Sequence, residues 1–277
     1  MSNLLEVENL NVAFPSRHGE TLAVRGASFT LGKERLGIVG ESGSGKSTTA
    51  RALLGLIPAP GIVRATAMRF NGQSLLGLKD QQWQALRGRH MSMVMQDPKY
   101  SLNPVVTIGA QIQETYLLHH RASKLEAKTR ALSMLEAVKI RDPELVYHLY
   151  PHQLSGGMGQ RAMIAMMLIT EPELLIADEP TSALDVTVQN EVLRILDDLV
   201  TLRGMGLIFI SHNLTIVSSF CDRVLVMYGG KIVEECKANE LHKAKHPYTQ
   251  ALLKAVPSVD HAVSELSVVT RDPAWLA

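Results

Sequence analysis

Only two cysteines, Cys221 and Cys236, occur among 277 residues, too few for a disulfide framework or a cysteine metal cluster. Aromatic residues are scarce at 5%, and neither sign of charge is in excess: 28 Lys+Arg stand against 27 Asp+Glu, a net charge of +1. A chain that holds duplex nucleic acid by neutralising phosphates carries a clear basic surplus, so this balance argues against that class. Long apolar runs are missing as well. The longest, Ala162 to Ile169, is far too short to cross a bilayer. The opening Met1-Ser2-Asn3-Leu4-Leu5-Glu6 has neither the basic nor the apolar segment of a secretory signal. What is present, 46% hydrophobic and 20% charged residues, supplies a large core and argues against disorder. A soluble, cytosolic, globular protein is the expectation.

Short apolar runs alternate with longer helical patterns, which predicts an α/β layer architecture. Leu4 to Phe14 and Leu22 to Leu31 alternate like antiparallel strands. Arg35 to Val39 reads as a short buried strand, followed by a glycine-rich turn and a helix from about Lys46 to Leu56. Met91 to Gln96 is another strand candidate. From Asp97 to Gln160 the pattern turns helical, with an Ala/Leu/Lys/Glu-rich stretch at Lys124 to Val138. Strand patterns return at Leu174 to Asp178 and Leu207 to Ser211, with a helix over about Val186 to Arg203 between them. Gly229-Gly230 separates Val224 to Tyr228 from Lys231 to Glu235, the spacing of a two-residue hairpin.

The run Gly40-Glu41-Ser42-Gly43-Ser44-Gly45-Lys46-Ser47 fits the phosphate-loop pattern G-x-x-x-x-G-K-[ST], with Thr48 beside it. Glycines admit backbone conformations with positive φ, which lets successive N–H groups converge on phosphate oxygens. Lys46 brings a point charge, the Ser47 hydroxyl is the expected Mg²⁺ ligand, and the following helix adds its N-terminal dipole. A strand pattern before and a helix pattern after support the match. Further on, Leu174 to Ala177 is an apolar run that ends in Asp178-Glu179. A lone acidic pair at a strand end is ordinarily solvated. Together with a phosphate loop, Asp178 is placed beside Mg²⁺ and Glu179 at the attacking water as general base.

These residues and five further motifs, in order, resemble the ATP-binding-cassette (ABC) ATPases over about Leu4 to Pro257. Leu154-Ser155-Gly156-Gly157-Met158 resembles the family's signature loop, and Ser182-Ala183-Leu184-Asp185 its D-loop. Gln96 stands where the Q-loop glutamine does, His212 matches the switch histidine, and Phe14 lies where an aromatic stacks on adenine. The resemblance implies a P-loop NTPase (RecA-like) α/β core with an antiparallel β subdomain and an inserted α-helical signature subdomain. Residues 1–96 and 161–238 would form the core, 97–160 the helical subdomain, and 239–277 a C-terminal helix and tail. It also implies ATP and Mg²⁺ as ligands, with Gln96 sensing metal and water and His212 bonding the γ-phosphate. Two cassettes would pair head to tail, Ser155, Gly156 and Gly157 of one reaching the γ-phosphate held by the other.

Two positions depart from the family pattern. Gly159 stands where an arginine is expected, and Asn213 where an aspartate usually follows the switch histidine. Tyr150-Pro151-His152-Gln153, Met163 to Met166 and the tail His246-Pro247-Tyr248-Thr249 resemble the oligopeptide, dipeptide and nickel importer branch. Many members of that branch carry an iron–sulfur cysteine cluster near the C-terminus; no cysteine follows Cys236, and none is carried over.

By this resemblance the chain is the ATPase subunit of a membrane importer for peptides, nickel or a related small solute. It would sit peripherally on the cytoplasmic face of the inner membrane, beside two permease subunits and indirectly a solute-binding protein. The rival readings are a cassette of a cytosolic enzyme assembly such as the phosphonate-cleaving complex, and a cassette acting on nucleic acid or ribosomes. Pro98 to Pro104 reads as an exposed loop that receives the permeases, with Tyr100 and Leu102 as its apolar anchors. His148 and His152 have a metal-like spacing that Pro151 interrupts. His119-His120 reads as a solvated helix end, Cys221 as a buried structural thiol, and the methionines around Met163 as core.

Overall fold

A computed structural model of the chain describes residues 3–17, 19–182, 184–255 and 272–276. Strands β1 (Leu5–Ser16) and β2 (Gly19–Leu31) pair antiparallel, and β3 (Arg35–Val39) leads into α1 (Lys46–Leu53). Three short strands follow, β4 (Ile62–Arg64), β5 (Ala67–Phe70) and β6 (Gln73–Ser74), then α2 (Asp80–Leu86) and β7 (Met91–Val94). Helices α3 (Ile108–His119), α4 (Lys124–Ala137), α5 (Pro143–His148) and α6 (Gly156–Leu168) come next. After β8 (Leu174–Asp178), α7 (Val186–Arg203), β9 (Gly206–Ile210) and α8 (Leu214–Phe220), the chain forms the hairpin β10 (Arg223–Tyr228) and β11 (Lys231–Lys237). Helix α9 (Pro247–Ala255) and a 3-10 turn at Pro273–Leu276 lie in the C-terminal part. The chain divides into two compact units, Met1–Leu78 with Ile208–Ala277, and Lys79–Leu207, so the division falls inside β9.

In the first unit, an antiparallel sheet has the order β2-β1-β5-β6, with β4 also on β1. Leu5 and Val7, then Leu10 and Val12, are buried along β1; the alternation of a sheet with one covered face slips by one residue between Val7 and Leu10, where the pairing with β2 shifts register and Asn9 takes φ 52°. The second sheet portion runs β11-β10-β3, with β3 parallel to β10 (Gly37 opposite Val224) and β10 antiparallel to β11. Strands β3 and β10 are almost continuously apolar, as buried parallel strands are, with Leu36, Ile38 and Val39 at most 1% exposed, whereas the edge strand β11 is polar and partly exposed. Gly37 lets α8 approach closely, since a Cβ there would lie 2.4 Å from the Val217 methyl. Cys221 at the end of α8 is buried, and burial pushes its thiol pKa up to about 12, so it is an inert core thiol.

In the second unit, β7 and β8 run parallel with Val94 opposite Ala177. Helix α6 is apolar from Ala162 onward, and Ala162, Met163, Ile164, Ala165 and Leu168 are fully buried; of its methionines Met163 and Met166 are core, while Met158 and Met167 are half-buried. Ser123 starts α4 by accepting the Glu126 N–H at 3.1 Å. Tyr147 of α5 packs over Gly109 of α3 and donates to Gln113 Oε1 at 2.5 Å.

Several expectations need correction. Helix α1 stops at Leu53, because Gly55, just past the C-cap Leu54, takes positive φ (61°). The strand expected at Met91 to Gln96 ends at Val94. His119 and His120 are half-buried: His119 lies over Gly88, and His120 stacks on Tyr116 with ring centroids 4.3 Å apart. Burial, with His120, Arg89 and His90 nearby, holds the His119 pKa below its usual value. Leu102 is a core residue at 5% exposure, whereas Tyr100 (83%) and Val105 (77%) are the exposed apolar tips of that loop. The cause is Gln111 on α3. Its amide bonds Asn103 N, Asn103 O and Val106 O at 2.8, 3.0 and 2.8 Å, folding the loop back onto the helix.

Candidate nucleotide site

The first unit carries the phosphate-loop pattern between β3 and α1. Gly40, Gly43 and Gly45 take φ of 149°, 82° and 102°, values that L side chains rarely adopt. The two ends of the loop are also crowded. A Cβ on Gly40 would lie 2.1 Å from Met227 O, and one on Gly45 2.5 Å from Ala23 O. Gly43 is different, with nothing within 4 Å of such an atom. Ser42 and Gly43 form the exposed crest, Ser44 and Gly45 are buried, and Ser47 and Thr48 are half-buried in the first turn of α1.

Lys46 is only 5% exposed, contrary to a freely exposed loop lysine. Its Nζ donates to Gly40 O at 2.7 Å and Glu41 O at 2.8 Å, so carbonyls of its own loop hold the ammonium. Ser44 Oγ is buried and has no hydrogen-bond partner. A buried hydroxyl of that kind is costly unless a ligand completes it. His212 is exposed just beyond β9, where the Ser211 N–H donates to Ile38 O at 3.2 Å, beside the strand that enters the loop. Asn213 caps α8 by accepting from Thr215 N (3.0 Å) and Ile216 N (3.3 Å), the service an aspartate would give, so the departure at 213 leaves the turn after His212 built. Phe14 is half-buried on β1, opposite Thr21.

The second unit gathers the remaining residues in two groups. Because β7 and β8 are parallel and in register, Gln96 and the pair Asp178-Glu179 emerge from the same strand ends. Gln96 is exposed, and Asp178 is 8% exposed as the last residue of β8. Glu179 has φ 49°, an uncommon conformation for a residue with a Cβ, and is held there by a turn: Ser182 N and Oγ both donate to its carbonyl, at 3.3 and 3.2 Å. In the other group, Ser155 begins α6 and Asp185 begins α7, each accepting an amide three residues on, Met158 N at 3.3 Å and Val188 N at 3.0 Å. The two helix starts touch, since a Cβ on Gly157 would lie 2.6 Å from a Val188 methyl, while Gly156 is open. Gly159 is buried against Pro98, where an added Cβ would sit 3.5 Å from the ring. Arg161 is the cation present in this turn, bonding Lys139 O at 3.0 Å and Glu191 at 2.9 Å. His148 ends α5 and His152 lies in a separate 3-10 turn, so they do not share a helix face.

The family model described as ABC transporter matches residues 24–182. The chain belongs to the ABC transporter family. As a member it is an ATPase cassette, and its fold is that of the family. It is 45% identical to the oligopeptide transport ATP-binding protein OppD of Salmonella typhimurium, over 98% of this chain and 81% of that protein. With the dipeptide transport ATP-binding protein DppD of Lactococcus lactis it shares 44% identity, over 98% of this chain and 78% of the other. Among solved structures it is similar to the ATP-binding cassette MJ0796 in a dimeric post-hydrolysis state bound to ADP and Pi. That likeness has a TM-score of 0.75 and 25% identity, covering 84% of this chain and 98% of the other.

The sequence reading missed the residues that brace the phosphate loop of this cassette from behind: Met227, Ala23 and Tyr248, whose hydroxyl meets the loop amide of Glu41 at 2.9 Å. Nothing in local spacing marks them. The bracing makes the loop's glycines unequal. Gly40→Ala should lower stability by roughly 2 kcal/mol or more, from backbone strain plus overpacking, while Gly43→Ala costs about 1 kcal/mol. Urea unfolding of the two variants measures the difference, and equal losses would contradict the crowding at Gly40.

Proposed function

We propose that this chain is the ATP-hydrolysing, nucleotide-binding subunit of a membrane importer for peptides. The observation that carries the reading is Lys46. A buried ammonium satisfied by its own loop carbonyls is a charge ready to be handed to a phosphate, within a loop whose three glycines take positive φ. The relatives support the solute class, since OppD and DppD are named for oligopeptide and dipeptide transport. Neither nickel nor the cytosolic-assembly alternative is carried forward.

The donor set fits a magnesium nucleotide. The Ser47 hydroxyl, the Asp178 carboxylate and the Gln96 amide oxygen are hard oxygen ligands of the kind Mg²⁺ takes, and the buried Ser44 Oγ lacks a partner that a phosphate oxygen provides. When bound, Mg²⁺ supplies neutralisation of the phosphate oxygens. The chain's own groups do the rest. Lys46 and the amides of residues 43 to 48 bind the phosphates, aided by the N-terminus of α1. Glu179 takes the proton of the attacking water, and His212 bonds the γ-phosphate as charge develops there. Phe14 offers its ring face to adenine.

Ser155, Gly156 and Gly157 serve a second cassette's nucleotide, in a head-to-tail dimer with Asp185 at its edge. This assignment explains a helix start with open space at Gly156 and no lysine of its own. No helix among the described residues is long and apolar enough to cross a membrane. The importer reading places the chain on the cytoplasmic face beside two permease subunits, which a solute-binding protein supplies from the other side.

Glu179→Gln should retain ATP binding and slow hydrolysis by roughly 10²–10⁴-fold, about 3–5 kcal/mol of barrier. Single-turnover assays read this directly, and turnover within about twofold of wild type would place the base elsewhere. The permease contact is tested with the exposed loop tips. Tyr100→Ala with Val105→Ala should leave ATP affinity of the isolated chain within about threefold, under ~0.7 kcal/mol. In proteoliposomes with permeases and binding protein, the same variant should lose most ATP-driven peptide uptake, because apolar anchors at a subunit contact are removed. Wild-type uptake by that variant would exclude this loop as the coupling surface.

A further inference from the structure

The Gly40–Glu41 peptide plane lies at the start of the phosphate loop and is held at both of its polar ends. Its carbonyl, Gly40 O, accepts from Lys46 Nζ at 2.7 Å. Its amide, Glu41 N–H, donates to the Tyr248 hydroxyl oxygen at 2.9 Å. A group 207 residues away in sequence thus fixes the orientation of the peptide on which the loop lysine rests.

Tyr248 is built to stay in place. It is 0% exposed, and its ring packs on Tyr228 (centroids 4.4 Å apart) and Trp275 (5.5 Å). Tyr228 in turn donates its hydroxyl to Asp272 O at 3.2 Å. The helix that carries Tyr248 is pinned at its start to β11: Lys245 N and His246 N donate to Glu234 Oε1 at 2.6 and 3.3 Å. The ring alone would fill the same volume as a phenylalanine. The hydroxyl is the group that bonds the loop, and without it the Glu41 amide loses that acceptor and the peptide plane is held at its carbonyl end by Lys46.

We propose that Tyr248 is a positioning residue for nucleotide binding: from α9 its hydroxyl fixes the Gly40–Glu41 peptide and so sets where Lys46 carries its charge. The C-terminal segment is then a working part of the phosphate site, and ATP affinity follows the placement of α9. This rests on the reading that residues 40–48 hold the nucleotide phosphates.

The test is Tyr248→Phe in the full chain, with ATP and ADP affinity by calorimetry, steady-state ATPase and a melting curve. The expected result is a KM for ATP and a Kd for ADP raised about five- to tenfold, with kcat at saturation within about twofold of wild type. Thr249→Val, which removes the neighbouring buried hydroxyl that has no partner and keeps its volume, should leave both constants unchanged. A second variant, Glu234→Ala, loosens the start of α9 without touching ring or loop and should raise KM at least twofold; it carries the test if Tyr248→Phe folds poorly. A merely structural tyrosine would lower the melting temperature and the active fraction with KM unmoved. Wild-type KM in both variants, with ATP bound normally by wild type, overturns the proposal alone. A wild-type chain that binds no ATP overturns the nucleotide reading of the loop and this proposal with it.

Discussion

A positive charge buried beside its own backbone organises this molecule. Lys46 is nearly excluded from water, and a lone ammonium in that position would be too costly to keep. The loop solves this by turning the carbonyls of Gly40 and Glu41 inward onto Nζ, which requires positive φ at three glycines. That backbone course is held from outside. The carbonyl of Met227 lies under Gly40, Gly230 N donates to Ser44 O at 3.1 Å, and Tyr248 takes the Glu41 amide. Strand β3 sets the loop's origin, and its own position depends on the absence of a side chain at Gly37. Much of the first unit therefore fits around one lysine.

The second unit repeats one device at two helix starts. Ser155 and Asp185 each cap their helix by the same three-residue reach, and Gly157 lets the two starts meet at Val188. A helix N-terminus attracts phosphate through unpaired amides and the dipole, so such a surface needs no lysine. Gly159 is buried against Pro98, but an added Cβ would make only ordinary contact with the ring, so the glycine at this position has no structural explanation. The cation of this turn is Arg161, which bonds Lys139 O and Glu191.

Legibility in the sequence followed how local the determinants were. Leu174–Asp178 and Val186–Arg203 have the residue limits that their apolar periodicity gives, because a buried strand and an amphipathic helix each carry their own pattern. The phosphate loop was legible for the same reason, its glycines, lysine and serine being fixed by local backbone chemistry. Strands β4 to β6 and helices α2 and α8 were not; strands of two to four residues and helices of seven, about two turns, are too short to show their period. Leu102 read as an exposed anchor because its neighbours are proline and short polar residues. What buries it is Gln111, nine positions on and recognisable only once α3 is in place. Tyr248 shows the limit most clearly. Its motif marked a branch of the family, but its contact with Glu41 spans almost the whole chain and leaves no local trace.

Amide hydrogen exchange with and without ATP tests the central claim most directly. If Lys46 and the loop amides receive the phosphates, ATP should slow exchange at residues 43–47, with the Glu41 amide unchanged because Tyr248 already holds it. ATP binding that leaves exchange at residues 43–47 untouched, and protects another segment instead, would contradict the account.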